Sequence, residues 1–242
     1  MKLGIIIPTK NEEKFLPLLA KSLLSQTFKN YVVIIADANS TDKTREIAKS
    51  YGFKIIEGGM PHEGRNAGAA AAIKSGCNLL VFIDADIVLP NDTFLENAIK
   101  EFEANKYDLA GTYQIPFELN QNKIRLSNNI KYKLIYSIAN IAMRWLKNSK
   151  KPMFQVCMFA TASAHQQIGG FRALEYGEDS RYAIDGKQLG LKFGMLESVK
   201  KVLISPRRFE KKGFINSGTP YFLIGVLLGK KFEYGKTKRK YF

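Results

Sequence analysis

The stretch "LLVFIDADIVLP", residues 79 to 90, places two carboxylates directly after an uninterrupted apolar run. The run from Leu79 to Ile83 predicts a strand that is buried on both faces. Asp84 and Asp86 follow with only Ala85 between them, so both side chains can face one site across a tight turn. Divalent cations such as Mg²⁺ and Mn²⁺ prefer oxygen ligands and leave positions for phosphate oxygens. The pattern indicates a metal–diphosphate site, with a simple turn cap as the alternative.

The first hundred residues alternate between strand and helix patterns. Apolar runs predict strands at "LGIIIP", "YVVIIAD", "FKIIEG" and "LLVFID", and helical segments lie between them. Asn11 and Ser40 are the predicted N-caps of the first two helices, and Gly76 is predicted to follow the end of the third. Apolar strands separated by helices are typical of a mostly parallel sheet with helices on both faces. The predicted fold class is therefore α/β and Rossmann-like, with a decorated C-terminal half.

Two acidic residues are expected to meet at one edge of this sheet. Asp37 ends the second predicted strand and Asp84 follows the fourth. Open α/β sheets bind ligands beyond the carboxyl ends of their strands. The edge that carries Asp37 and Asp84 is therefore the predicted ligand site.

The net charge of +15 is unevenly distributed along the chain. Residues 187–242 hold fourteen Lys and Arg against three acidic residues, and residues 123–153 hold eight with no acidic residue. Two basic regions on a slightly acidic body indicate docking on something anionic, with a solvated basic surface as the alternative. Cys77 and Cys157 are expected to be buried thiols in a reducing compartment.

Six motifs follow one another in an order that resembles family 2 glycosyltransferases, which are inverting enzymes of the GT-A fold that use nucleotide-diphosphate sugars. They are "IIIPTKNEE", "IIADANSTDKT", "GRNAG", "FIDADIVLP", "IGGFRALEYGEDSRYA" and "SPRRFEKKGF". A single match of this kind is weak, but six in the correct order are specific. The resemblance implies one GT-A domain over residues 1–242. Its parts would be a nucleotide-sugar half (1–110), an acceptor-binding half (111–205) and a basic extension (206–242).

The resemblance implies a donor site at the predicted sheet edge. Its nucleotide-binding residues would be Pro8, Thr9, Glu12, Asp37, Arg65, Asp84, Ala85 and Asp86. Asp37 would contact the base or ribose, unless it is an ordinary turn carboxylate. Asp86 would bind Mn²⁺ or Mg²⁺ directly, with Asp84 nearer the ribose or a bound water.

Fixed cations are expected around the leaving diphosphate. Arg65 is one candidate, and Arg207 or Arg208 is the other, because a guanidinium fork matches phosphate oxygens. The alternative for the Arg207–Arg208 pair is an exposed position in a basic tail. Many family members also use a late histidine as a metal ligand, and neither His62 nor His165 fits that position.

The acceptor side of the resemblance centres on Asp179. Asp179 would be the base that deprotonates the acceptor hydroxyl, and its alternative is a carboxylate that stabilises a helix N-terminus. Glu178 is its neighbour on the acceptor side. Gly169 and Gly170 would let the acceptor approach the backbone closely, unless they form a plain turn.

The expected partners are a UDP- or GDP-type sugar donor and a glycan or lipid-linked acceptor. The basic helix around Lys131–Lys151 and the apolar run Tyr221–Gly229 also suit peripheral contact with an anionic membrane face. The alternative for the apolar run is a packed core helix. The expected localisation is cytoplasmic, because no signal peptide or spanning segment is evident.

Two other classes of protein fit the sequence less well. A nucleic-acid-binding protein would explain the charge, but the aromatic residues do not interleave with the basic ones, and Asp84 and Asp86 would repel phosphates without a metal. A nucleotidyltransferase would need a glycine-rich loop after the first strand, where "PTKNEE" stands instead. We therefore expect no nucleic-acid partner.

Overall fold

A seven-stranded sheet and a smaller four-stranded sheet form the frame of the molecule. The structure is a computed structural model that describes residues 1–120, 123–153, 156–174, 177–207 and 209. The strands are β1 (Leu3–Thr9), β2 (Tyr31–Asp37), β3 (Lys54–Glu57), β4 (Leu79–Ile83), β5 (Ile87–Val88), β6 (Leu109–Gly111), β7 (Gln114–Asn120), β8 (Lys123–Leu126), β9 (Cys157–Thr161), β10 (Phe193–Met195) and β11 (Val202–Ile204). The helices are α1 (Leu16–Leu24), α2 (Thr44–Ser50), α3 (Pro61–Lys74), α4 (Phe94–Ala104), α5 (Ile130–Leu146), α6 (Ala162–Ile168) and α7 (Glu178–Gln188).

The main sheet is mostly parallel, as predicted. Its strand order is β10-β6-β9-β4-β1-β2-β3, and β9 runs antiparallel to both of its neighbours. The smaller sheet has the order β5-β11-β7-β8. In it, β11 pairs antiparallel with β5, which directly follows the two aspartates. The smaller sheet therefore brings the late part of the chain back to the "DAD" turn.

Helices cover both faces of the main sheet because its strands are apolar on both sides. On one face, Ile5 and Ile7 of β1 pack in a cluster with α1, α2 and α4. On the other face, Ile6 packs in a cluster with α3, α5, α6 and α7. Each fully buried side chain of this size contributes about 1.5–3 kcal/mol to folding.

Small residues let α3 lie close to β1. A Cβ atom on Gly68 would come within 2.4 Å of Ile6, and Ala72 is equally close to the Cβ position of Gly4. Packing therefore requires glycine at position 68 and leaves no room for a Cβ between Gly4 and Ala72. The helix ends as predicted, since Gly76 follows it with φ 80°.

Two predicted helix starts are wrong. The first two helices begin at Leu16 and Thr44, several residues later than predicted. Asn11 takes φ 56°, and its Oδ1 accepts a hydrogen bond from the Thr41 N–H at 2.8 Å. The Ser40 Oγ accepts one from the Asn11 N–H at 2.9 Å. The two side chains join neighbouring loops at the sheet edge instead of capping helices.

Two stretches in the second half each predict a single strand from the sequence, but neither forms one. "DLAGTYQIPF" forms β6 in the main sheet and β7 in the smaller one. "QVCMFATASA" forms β9 and then α6, because Thr161 caps the helix by accepting a hydrogen bond from the Ala164 N–H. Cys77 and Cys157 are buried thiols, as expected.

Within the described ranges, every helix is too short or too polar to cross a bilayer. The predicted apolar run Tyr221–Gly229 and the basic tail lie outside the described residues.

Candidate active site

The carboxyl ends of β1, β2 and β4 form the edge at which the predicted donor residues gather. Thr9 and Asp37 are register partners at the ends of β1 and β2, and Asp84 directly follows β4. Pro8 is half-buried in the same strand, and Ala85 is buried between the two aspartates. The parallel pairing of these strands explains why residues far apart in sequence share one edge.

Asp37 organises the loops at this edge. Its buried carboxylate accepts hydrogen bonds from the Thr9 hydroxyl, the Ser40 hydroxyl and backbone N–H, and Arg45 Nη1 at 2.5–3.0 Å. Burial acts to raise the pKa of Asp37, but the hydrogen bonds from Ser40, Arg45 and Thr9 outweigh it and hold the pKa below its usual value. The predicted contact with a base or ribose stays a prediction.

Arg65 joins the predicted donor and acceptor sides of the site. It lies in the first turns of α3 and is only 5% exposed. Its Nη2 is 2.9 Å from Asp84 Oδ1 and 3.5 Å from Asp179 Oδ1, while its Nη1 donates to Glu178 Oε1 at 3.0 Å. The guanidinium also lies 5.5 Å from the centre of the Phe171 ring. One buried cation thus holds three carboxylates from two halves of the chain.

Asp179 and Glu178 have different surroundings although they are adjacent. Both lie in the first turn of α7, after Gly177 in the left-handed conformation. The Glu178 side chain is 7% exposed and paired with Arg65, whereas the Asp179 side chain is 23% exposed. Asp179 is therefore the more accessible of the two to a bound substrate.

Arg207 forms a second bridge between carboxylates. Its Nη2 donates to Glu12 Oε1 at 2.6 Å, and its Nε donates to Asp86 Oδ2 at 2.9 Å. The guanidinium lies 4.6 Å from the centre of the Phe15 ring. The Ser205 N–H donates to the Asp86 carbonyl at 3.1 Å, which extends the β11–β5 pairing to this point. The strand pairing therefore positions Arg207.

Burial and ion pairing shift the pKa values of Glu12 and Arg207 in this bridge. Burial raises the pKa of Glu12, and the hydrogen bond and charge of Arg207 offset this only in part. Burial acts to lower the pKa of Arg207, but Glu12 and Asp86 raise it well above its usual value. Arg207 is therefore a permanent cation at the edge. Arg208, the other candidate from the sequence, lies outside the described residues.

The predicted glycines form a turn that approaches α3. Gly169 ends α6 with φ 79°, and Gly170 follows with φ 85°. A Cβ on Gly170 would lie 2.6 Å from Asn66 Oδ1. Asn66 accepts a hydrogen bond from the Phe171 N–H and donates one to the Phe171 carbonyl, so it joins α3 to this turn. The predicted contact of Gly169 and Gly170 with an acceptor remains a prediction.

His165 has a structural environment. It is buried, and its Nδ1 lies 2.9 Å from the Tyr182 hydroxyl. Burial lowers the pKa of His165 to about 4. It is therefore neutral at pH 7 and helps hold α6 against α7.

The comparisons with known proteins agree with this geometry. The sequence model of glycosyl transferase family 2 matches residues 4–169, which is more than half of the chain. The chain belongs to glycosyl transferase family 2. The family resemblance inferred from the six sequence motifs is confirmed.

The curated relatives of this family 2 chain include 4,4'-diaponeurosporenoate glycosyltransferases of Staphylococcus. The protein from S. haemolyticus is 35% identical over 111 residues, and the one from S. aureus USA300 is 34% identical over 114 residues. These matches cover 43% and 45% of this chain. The matched region spans 29% of the length of each relative.

Solved structures confirm the GT-A fold. TarS from S. aureus superposes with a TM-score of 0.64 at 18% identity, covering 96% of this chain and 41% of TarS. A TarS fragment, residues 1–349, in complex with UDP-GlcNAc gives 0.62 at 17% identity, covering 96% and 68%. A mannosyltransferase from Pyrobaculum calidifontis in complex with GDP-Man and Mn²⁺ gives 0.62 at 15% identity, covering 91% and 64%.

The oxygen donors at the edge fit a divalent cation that has few protein ligands. Within the described part of the chain, no group of three or more His, Cys, Asp and Glu side chains is arranged around one ion. Asp86 and Glu12 nevertheless offer carboxylate oxygens, and Glu12 Oε2 is buried without a hydrogen-bond partner in those residues. A cation there would complete its shell with phosphate oxygens and water.

Sequence reasoning missed the aromatic residues of the site. Phe15 lies against Arg207, and Phe171 lies against Arg65 and stacks on Tyr182 with ring centres 4.2 Å apart. Aromatic faces attract guanidinium groups, so each ring helps to fix its arginine. The sequence feature that could have identified Phe171 as a site residue is its position directly after "GG".

Proposed function

We propose that this family 2 protein is a metal-dependent inverting glycosyltransferase. It transfers a sugar from a UDP- or GDP-type sugar donor to a hydroxyl of a glycan or to the phosphate of a polyprenyl-linked acceptor. The observation that carries the proposal is the Arg65 cluster. A buried guanidinium there joins the donor-side carboxylate Asp84 to the acceptor-side carboxylate Asp179.

Asp179 is the proposed base. An inverting transfer needs one carboxylate to take the proton of the attacking hydroxyl. Asp179 is accessible and is held by Arg65, whereas Glu178 is buried by its own pairing with Arg65. Arg65 is the proposed positioning residue that orients the Asp179 carboxylate.

Asp86, Glu12 and Arg207 are the proposed diphosphate end of the site. Arg207 lies beside Asp86 and can bind phosphate oxygens through its planar fork. Asp86, with Glu12 beside it, would hold Mn²⁺ or Mg²⁺. When bound, the cation supplies positive charge that stabilises the leaving diphosphate.

The ligands of the structural neighbours support the donor class. TarS residues 1–349 form complexes with UDP and with UDP-GlcNAc, and the Pyrobaculum protein forms one with GDP-Man and Mn²⁺. Both are fold neighbours at under one fifth identity. They favour a nucleotide diphosphate and a divalent cation as ligands of this chain, but they do not distinguish between uracil and guanine as the nucleobase.

Calorimetric titration of UDP, GDP and dTDP tests the proposal. Each nucleotide is titrated with and without Mn²⁺ into the wild type and Asp86→Ala. Asp92→Ala is the matched control, because Asp92 is an exposed aspartate outside the cluster. We expect one nucleotide to bind only with Mn²⁺, and Asp86→Ala alone to lose it. If none binds under either condition, the proposed function is wrong.

A further inference from the structure

Helix α5 is apolar on two opposite faces, and only one of them is packed. Tyr136, Ala139 and Met143 face the protein interior and are buried. The other face carries five large apolar side chains that are all exposed: Ile130, Leu134, Ile138, Ile141 and Trp145. Trp145 is 78% and Ile130 79% exposed. These five residues are called the α5 stripe below.

The α5 stripe is continuous along the whole helix. At about 100° per residue, its five positions fall within an arc of about 80° and span the helix from its first turn to its last. Single exposed apolar residues are normal on a protein surface, but a contiguous row of this length marks an interaction site.

The charge around the α5 stripe indicates what covers it. From residue 123 to residue 153 the chain has eight basic residues and no acidic one. At the same spacing of about 100° per residue, Lys131 flanks the stripe on one side, and Lys133 and Arg144 flank it on the other. Arg144 and Lys147 are paired with Glu197, while Lys131 and Lys133 are exposed. An apolar row between cations matches an anionic lipid surface.

We propose that α5 docks on an anionic bilayer surface, with the α5 stripe in the interfacial region and the flanking lysines among the headgroups. The C-terminal residues 210–242 would cover the stripe less well, because they hold eight basic residues against two acidic ones and repel a basic helix. A second copy would place two basic faces against each other. Charge therefore favours the lipid over both protein occupants.

The docking helix is connected to the candidate active site. Phe209 stacks on Tyr132 with ring centres 6.2 Å apart and meets the Tyr136 ring edge-on at 5.9 Å. Arg207, which contacts Asp86, is two residues earlier. Docking through α5 would therefore hold Arg207 and Phe209 near the bilayer surface, where a lipid-linked acceptor lies. The docking itself does not rest on the proposed function.

The tryptophan fluorescence of the full chain reports directly on the α5 stripe. Trp145 is the single tryptophan of the sequence. The emission is recorded while vesicles are added, either phosphatidylcholine alone or an equal mixture of phosphatidylcholine and phosphatidylglycerol. We expect the solvent-exposed emission to move to shorter wavelength with the anionic vesicles only. Raising the salt concentration should reverse the shift.

Flotation with the same vesicles tests which residues are responsible. Ile141→Glu should lower partitioning into the anionic vesicles at least about tenfold. Lys131→Glu combined with Lys133→Glu should lower it by a similar factor. Leu189→Glu is the matched control: Leu189 is a comparably exposed leucine at the end of α7, and its replacement should leave partitioning unchanged.

Three results would overturn the proposal. Emission that is unchanged by anionic vesicles would show that α5 does not meet lipid. Emission already at short wavelength without vesicles would show that the chain's own C-terminal segment, or at rising protein concentration a second copy, covers the α5 stripe. Equal loss of flotation in Ile141→Glu and Leu189→Glu would show that binding does not depend on the stripe. Nucleotide titration on the same samples tests the proposed function separately. A failure of lipid docking can therefore be distinguished from a failure of the proposed function.

Discussion

Arg65 is the residue at which the two sides of the site depend on each other. Its fork has five N–H donors in a fixed plane, and the structure uses them for Asp84, Glu178 and Asp179. Removing one partner of a buried ion pair typically costs about 3–5 kcal/mol, because a charge is left without compensation. Removing Arg65 should therefore destabilise the fold and also disrupt the proposed chemistry.

Asp179→Asn should separate catalysis from binding. If Asp179 is the base, the variant loses about 10²- to 10⁴-fold in turnover while its affinity for the nucleotide is unchanged. Turnover is measured as release of nucleotide diphosphate from the matching sugar donor, and affinity by calorimetry. Full turnover in Asp179→Asn would contradict the assignment.

Glu178→Gln is the neighbouring control for that experiment. Glu178 is buried against Arg65, so its substitution should lower the free energy of unfolding by up to about 3 kcal/mol, as measured in urea. Asp179→Asn should change stability less, because Asp179 is more exposed and lies farther from Arg65.

His165 should make stability depend on pH between 6.5 and 4. Its pKa in the folded protein is about 4, below the usual histidine value of 6.5, so the unfolded chain binds the proton first as the pH falls. The stabilisation is fully present above pH 6.5 and is lost as the pH falls towards 4, which amounts to about 3 kcal/mol. Urea unfolding of the wild type and His165→Gln at pH 7 and pH 4 measures it. Parallel pH profiles for the two proteins would contradict this prediction.

Among the elements, the pairing of β11 with β5 brings Arg207 beside Asp86 at the proposed diphosphate end. Arg207→Ala should weaken binding of the nucleotide by about 10- to 100-fold, since a hydrogen bond to a charged group contributes about 1.5–3 kcal/mol. Arg208→Ala is the matched control from the same pair. Calorimetry in the presence of Mn²⁺ measures both, and a larger loss in Arg208→Ala would reverse the assignment.

The turn after α6 should tolerate no side chain at Gly170. Gly170 and Gly190 share a left-handed φ of 85° and 79°, but a Cβ would meet Asn66 only at Gly170. Gly190→Ala should cost about 1–2 kcal/mol for the backbone conformation, and Gly170→Ala should cost more. Urea unfolding measures the difference. Equal losses would show that the contact with Asn66 relaxes without cost.

The helices and strands were predictable where one local pattern determined them. Continuous apolar runs identified β1 to β4, and the "GRNAGAAAA" composition identified α3. The loop-joining roles of Asn11 and Ser40 were not predictable, because their hydrogen-bond partners lie about thirty residues away in the neighbouring loop. A polar residue before a helical stripe has the same sequence signature whether it caps the helix or joins two loops.

At the scale of the whole molecule, the order of the motifs predicted the family and the GT-A fold, but the arrangement of the site came from long-range contacts. Arg65 and Glu178 are 113 residues apart in sequence, and Arg207 and Glu12 are 195 apart. The spacing of the motifs does not reveal that each arginine bridges two carboxylates. The clusters follow from the strand order, which brings early residues such as Glu12 and late residues such as Arg207 to one edge.

The proposed binding of a metal–nucleotide complex at Asp86 can be tested directly. Crystals grown with Mn²⁺ and the nucleotide that calorimetry selects would test it through the anomalous scattering of manganese. We expect an anomalous peak within about 2.5 Å of an Asp86 carboxylate oxygen, shared with the diphosphate, and Arg207 in contact with the phosphates. A nucleotide bound away from Asp86, or a manganese peak elsewhere in the molecule, would contradict it.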